Sequence, residues 1–149
     1  MSTNVDTAPP AWRDYQNWPE TLGAVDPNSQ IGRLQREAAE LRRRVVEKNT
    51  EVGRLRRDAE ALDAVVRDAT PATPWERVAQ AVTMAPIYRR EAERLASEAH
   101  PLETEAGRIA NAIQDMWIAY TRALGEWKRD PANVAPRRAA VLASYVWPQ

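Results

Sequence analysis

From Ile31 to Val66 apolar residues recur every seven positions in two interlaced rows. One row reads Ile31, Ala38, Val45, Val52, Ala59 and Val66. The other, three places on, reads Leu34, Leu41, Lys48, Leu55 and Leu62, so Lys48 is the one polar residue of the eleven. A strand changes face at every residue, whereas a spacing of three and four keeps side chains on one helical stripe. Sustained over five heptads, such a stripe is a coiled-coil seam.

Local signals bound this helix. Asp26-Pro27-Asn28-Ser29 offers capping side chains and a proline suited to a first helical turn. Thr70-Pro71-Ala72-Thr73-Pro74 cannot continue a helix. The spacing therefore predicts a helix over 28–69, about 60 Å long at 1.5 Å per residue, and a helix of that length needs a partner. A second helix is expected over 74–128. It opens with Thr73-Pro74-Trp75-Glu76, which has the pattern of a capping box. Its heptad rows run Val78, Ala85, Ala92, Ala99, Ala106, Ile113, Tyr120, Trp127 and Ala81, Tyr88, Leu95, Leu102, Ile109, Met116, Ala123. Pro86 and Pro101 fall off this seam, so the helix is expected to be kinked or briefly broken near 86 and 100.

A turn as short as 70–73 makes an antiparallel hairpin the default. In the register that the turn sets, Leu62 faces Ala85, Ala59 faces Tyr88, Leu55 faces Ala92, Leu41 faces Ala106 and Ala38 faces Ile109. Large meets small at each of these layers, which favours pairing within the chain over a parallel homodimer. Lys48 faces Ala99 and should be partly buried, its stem along the rod and its ammonium in solvent. Val46, Val65, Val82 and Met84 lie beside the seam and are candidates for contact with a third helix or a second copy.

The same register puts Ile31 opposite Met116, so the second helix overshoots the first. The overhang carries Trp117, Tyr120, Leu124 and Trp127. An N-terminal arm over 1–27, partly extended, brings Trp12, Tyr15 and Trp18, and a linker with a short helix from Pro136, within 129–149, brings Tyr145 and Trp147. The fold class expected is all-α: a long antiparallel helical hairpin, a coiled-coil-like rod, with an aromatic head built from both termini. The head reads either as a satellite core or as a partner-binding surface of Trp12, Tyr15, Trp18, Trp117, Tyr120, Trp127, Tyr145 and Trp147, since Trp, Tyr and Arg dominate interface hot spots.

Reactive chemistry is sparse. Cysteine is absent, which removes disulfides, thiolate zinc sites and thiol nucleophiles. His100 stands alone beside Pro101, without clustered carboxylates, and reads as an exposed residue rather than a ligand or base. Glu103 and Glu105 are two apart and point different ways on a helix. Gly23, Gly32, Gly53, Gly107 and Gly125 are too scattered for a phosphate loop. No catalytic residue, metal ligand or cofactor site is expected, and the chain is read as no enzyme.

Twenty-one basic and 21 acidic side chains cancel, against the broad basic surface of a nucleic-acid binder. Arg33, Arg36, Arg43, Arg54 and Arg57 do line the first helix. However, Arg36 with Glu40, Arg43 with Glu47, Arg54 with Asp58 and Arg56 with Glu60 stand four apart and can pair along it. Trp75, Trp117 and Trp127 could stack on bases, but no basic groove accompanies them. The first ten residues lack a signal-peptide pattern and no long apolar run is present. The expected location is the cytoplasm or a particle assembled there, without a membrane.

Composition and architecture therefore fit a structural or assembly protein, oligomeric and bound to neighbouring protein subunits. A capsid, tail or decoration component of a virion is one such setting. The alternative is a small regulatory module that binds a protein or, through its arginines, nucleic acid.

Overall fold

The structure is a computed structural model that describes residues 18–129 and 136–148, with the backbone alone at 136–140. Among the described residues there is no strand. A single 3-10 turn, Leu22–Ala24, precedes three helices: α1 (Gln30–Arg67), α2 (Trp75–Arg129) and α3 (Pro136–Val146). The chain is all-α, and its two long helices pack against each other. It divides into two compact units, Glu40–Glu105 and Met1–Ala39 with Ala106–Gln149.

The helix bounds differ modestly from those expected from sequence. α1 spans Gln30–Arg67 rather than 28–69, and α2 spans Trp75–Arg129 rather than 74–128. Of the two forms expected at the prolines, a kink or a brief break, the break does not occur: α2 is one helix through Pro86 and Pro101. Each proline removes one helical hydrogen bond, stranding the carbonyls of Val82 and Ser97 four residues earlier. Both prolines and both of those residues are exposed, so water can satisfy the carbonyls, while Ala81, Ala85, Ala92 and Ala99 stay buried on the opposite side. Packing along the buried stripe holds the helix through its two weak points. Nearby threonines bond back into the helix, Thr83 Oγ1 to the Ala79 carbonyl at 2.9 Å and Thr104 Oγ1 to that of His100 at 3.1 Å.

In the Glu40–Glu105 unit every buried hydrophobic residue is a seam position: Val45, Val52, Leu55 and Ala59 on α1, Ala81, Ala85, Ala92 and Ala99 on α2. Those of α2 are all alanine, and the larger side chains of α1 fill the space they leave. Val52 and Leu55 pack on Ala92, and Tyr88, Leu95 and Ala96 close around them. This is the layer expected from the Leu55–Ala92 pairing, and it excludes the register one heptad away. Cross-links run in antiparallel sense, Asp63 to Arg89 near the turn, and Lys48 Nζ to Glu98 Oε2 at 3.0 Å with Asn49 Nδ2 to Glu103 Oε1 at 3.4 Å farther from it.

The outer faces carry three arginine clamps of one design. Arg43 reaches back to Glu40 and forward to Glu47, Arg54 to Glu51 and Asp58, and Arg94 to Glu91 and Glu98. Acid three before and acid four after the arginine lie on one helix face, so a single guanidinium spans two turns. Hydrogen bonds from the arginines, above all, hold the Glu40, Glu51 and Glu91 carboxyls below the ordinary range, and one from Lys48 does the same for Glu98. Two of the four expected pairs, Arg43–Glu47 and Arg54–Asp58, form. Glu40 turns to Arg43 instead of Arg36, because the clamp lets one arginine satisfy two acids.

The turn between the helices departs from its expected chemistry. Thr73 Oγ1 accepts the Thr70 amide at 2.9 Å, and the Thr73 amide donates to the Thr70 carbonyl at 2.9 Å. The hydroxyl thus closes the loop and is turned away from Glu76, so the capping box does not form. The Arg77 and Val78 amides bond the Pro74 carbonyl at 3.2 and 3.4 Å.

Candidate functional site

The aromatic residues of the unit formed by residues 1–39 and 106–149 are set in place by the start of α1. Ser29 caps that helix: its Oγ accepts the Gly32 amide at 3.0 Å and donates to the Asp26 carbonyl at 2.6 Å. Asp26 Oδ1 in turn accepts the Asn28 amide at 2.8 Å. Ser29 is 1% exposed, so the cap is part of the core rather than a surface ornament. The loop folds so tightly onto α1 that a Cβ on Gly32 would lie 2.1 Å from the Asp26 carbonyl oxygen and 2.7 Å from the Pro27 carbonyl carbon. Only glycine fits there, for reasons of space.

This folded-back loop joins the remaining segments. The Asp26 amide donates to the Val146 carbonyl of α3 at 3.3 Å, and Gln35 Nε2 on α1 donates to the Leu22 carbonyl at 3.1 Å. Lys128 Nζ on α2 pairs with Glu20 Oε1 at 2.8 Å, the hydrogen bond holding the Glu20 carboxyl below its usual range. Tyr120, seven residues before Trp127 on α2, shares its face, leaving a slot about two turns long. Trp18 fills it, its ring centroid 5.8 Å from Tyr120 and 5.8 Å from Trp127, with interplanar angles of 13° and 27°. Trp117 leans on Tyr120 from one turn earlier at 5.0 Å. The buried Tyr120 hydroxyl donates to the Pro19 carbonyl at 2.8 Å, and burial, aided by the charge of Glu20, pushes the phenol well above its usual range.

No protein-family model, curated protein or solved structure matches this chain. Its candidate site is therefore argued from its own residues.

The eight aromatic residues picked from sequence fall into three groups. Trp12 and Tyr15 lie outside the described residues. Trp18 and Tyr120 are buried, at 3% and 0% exposure, and act as the filling of the unit. Trp117, Trp127, Tyr145 and Trp147 are half-exposed and form its accessible aromatic edge. Trp147 lines a cleft of about 350 Å³ with Arg33, Asn28, Gln30 and Ser144. Three indole N–H groups, on Trp18, Trp127 and Trp147, are buried without an acceptor. An indole N–H shut away from water normally finds a partner, and leaving one unmet costs about 1–3 kcal/mol.

Among the described residues no group of three or more His, Cys, Asp and Glu could hold a metal ion, and no helix is long and apolar enough to cross a membrane. Sequence reasoning passed over one residue. Trp75, weighed only as a base-stacking candidate, is 73% exposed at the start of α2. The available signal was the run Ala69 to Trp75, free of charge in a chain that is 28% charged.

Proposed function

We propose that this chain is a non-enzymatic structural or assembly protein that seats its aromatic unit against a neighbouring protein subunit. The carrying observation is the pair Trp127 and Trp147, half-exposed rings on the accessible edge of the aromatic unit. A partner that covers this edge would bury the rings, the pattern of an interface hot spot. Trp18 and Tyr120 support the edge from beneath, and Trp117 and Tyr145 extend it. Trp12 and Tyr15 belong to the same proposed binding set.

The buried heptad rows support reading the paired helices as a coiled-coil rod that spaces this edge within an assembly. Composition and helical architecture fit a virion component such as a capsid, tail or decoration protein, made in the cytoplasm and built into an oligomeric particle. The arginine clamps weigh against nucleic-acid binding by the α1 face, since Arg43 and Arg54 are already matched by carboxylates.

Incorporation into the native assembly tests this reading. The Trp147→Ala chain, produced in the source cells, should keep the far-UV circular dichroism of the parent and fail to co-sediment with the high-mass assembly. A Trp147→Ala chain that folds and incorporates like the parent removes the aromatic edge as the binding surface.

A further inference from the structure

The exposed large hydrophobic residues are not scattered evenly. Of the seven among the described residues, four, Val66, Trp75, Val82 and Ile87, fall within the stretch that closes the hairpin. On α2, Trp75 and Val82 belong to a second apolar stripe, separate from the seam, and Ile87 lies off it. Trp75, Ala79, Val82 and Pro86 are spaced four, three and four apart, which keeps them on one helix face. Trp75 and Val82 are 73% and 56% exposed, Pro86 is exposed and Ala79 half-buried. The stripe ends at Arg89, which is held by Asp63 of α1.

We propose that this stripe is the contact between two copies of the chain, packed antiparallel about a two-fold axis. The stripe is self-complementary. A second copy that layers Ala79 on Val82 puts Trp75 on Pro86 at both ends, small against larger in the middle and indole against pyrrolidine outside. The charges beside it decide the register. In the hairpin, whose register the Leu55–Ala92 layer fixes, Asp63 pairs with Arg89 beside the seam. The same offset beside an Ala79–Val82 layer brings Glu76 level with Arg90 of the second copy, twice by symmetry. Neither Glu76 nor Arg90 pairs with a described residue of its own chain, so both are free to form this contact. Sliding the register by one heptad either way sets Trp75 against Ala79 or Glu93 and separates Glu76 from Arg90. An isologous patch of this kind closes on itself as a dimer. It is distinct from the aromatic edge and does not depend on it.

Sedimentation equilibrium of the full chain tests the proposal, with far-UV circular dichroism as a check on folding. The parent should show a reversible monomer–dimer equilibrium. Trp75→Ala and Val82→Glu, both at exposed positions, should each weaken it at least about tenfold. Glu76→Arg alone and Arg90→Glu alone should weaken it, and the double variant Glu76→Arg/Arg90→Glu should restore it. Trp147→Ala should leave it unchanged, which separates this contact from the aromatic edge. A parent that stays monomeric at its highest soluble concentration overturns the proposal. So does a dimer indifferent to Val82→Glu, or a charge swap that fails to restore association.

Discussion

The two units reach stability by opposite routes. The Glu40–Glu105 unit is a repeat: heptad rows of α1 against a buried alanine row of α2, with the same arginine clamp three times on its surface. The unit of residues 1–39 and 106–149 is assembled from distant segments around single, unrepeated contacts. Among these are a tryptophan between two rings, a tyrosine on a proline carbonyl and a serine cap that is itself buried. In the first, any one layer resembles its neighbours and the load is shared. In the second, each contact has no substitute, and truncation should be felt throughout the unit.

The sharpest way to break this comparison is to delete one side chain from each. Trp18→Ala should cost about 3–5 kcal/mol and Leu55→Ala a value nearer the low end of about 2–5 kcal/mol. Leu55 sits over Ala92, where adjoining Tyr88 and Leu95 can lean into the space, whereas Trp18 fills a slot whose walls are fixed on α2. Guanidinium denaturation followed by tryptophan fluorescence and circular dichroism measures both. Equal losses, or a larger one for Leu55→Ala, would show that the hairpin does not share load in this way.

A smaller effect separates the units by pH. The Tyr120 phenol ionises near 10 in an unfolded chain and well above that when folded, because burial penalises the phenolate. An acid whose folded value is raised binds more protons in the native state, so its contribution is intact below about pH 10 and is lost as pH rises above it. The aromatic unit should therefore loosen on alkaline titration before the hairpin. Tyr120→Phe should remove that extra alkaline loss while costing about 1–3 kcal/mol at neutral pH, by leaving the Pro19 carbonyl unmet. Near-ultraviolet circular dichroism, which reports the stacked rings, against far-ultraviolet ellipticity checks the order of events.

The same contrast explains what was legible in the sequence. The hairpin register could be read from residue numbers because it repeats: one correct layer, Leu55 on Ala92, implies the others. The aromatic unit could be located but not built. Its decisive features are non-local, such as the loop that crowds Gly32 and the slot that takes Trp18, and a lone glycine or tryptophan carries no mark of either. Local rules failed where tertiary packing overrode them. Pro86 and Pro101 read as kinks or brief breaks, yet the helix continues because the stranded carbonyls belong to exposed residues and the alanine stripe runs on. Thr73 read as a capping residue, yet its hydroxyl was more useful in closing a loop that holds two prolines. Trp75 was underweighted because seam-finding rewards residues in the heptad rows, and Trp75 lies outside them.

The least effect is expected at Lys48, the single charge in the α1 seam, where the two tendencies of the hairpin meet. The sequence placed its stem over Ala99 with the ammonium in solvent. The structure finds the side chain 26% exposed and its ammonium paired with Glu98, which also belongs to the Arg94 clamp. Lys48→Leu gains apolar burial in the seam, yet it removes a cross-helix ion pair and leaves Glu98 to Arg94 alone. An ion pair at such an exposed acid is weak and salt-screened, and a leucine in a half-open layer recovers only part of its transfer free energy, so the net change should stay within about 1 kcal/mol. Salt resolves the two contributions. In low salt the parent and Lys48→Leu should melt close together, and in high salt the leucine variant should be the more stable, since screening weakens only the ion pair. A Lys48→Leu chain that is less stable than the parent at every ionic strength would mean that the lysine stem, rather than its charge, fits that layer better than leucine does. The seam would then be specified by shape at Lys48 as it is at Ala92.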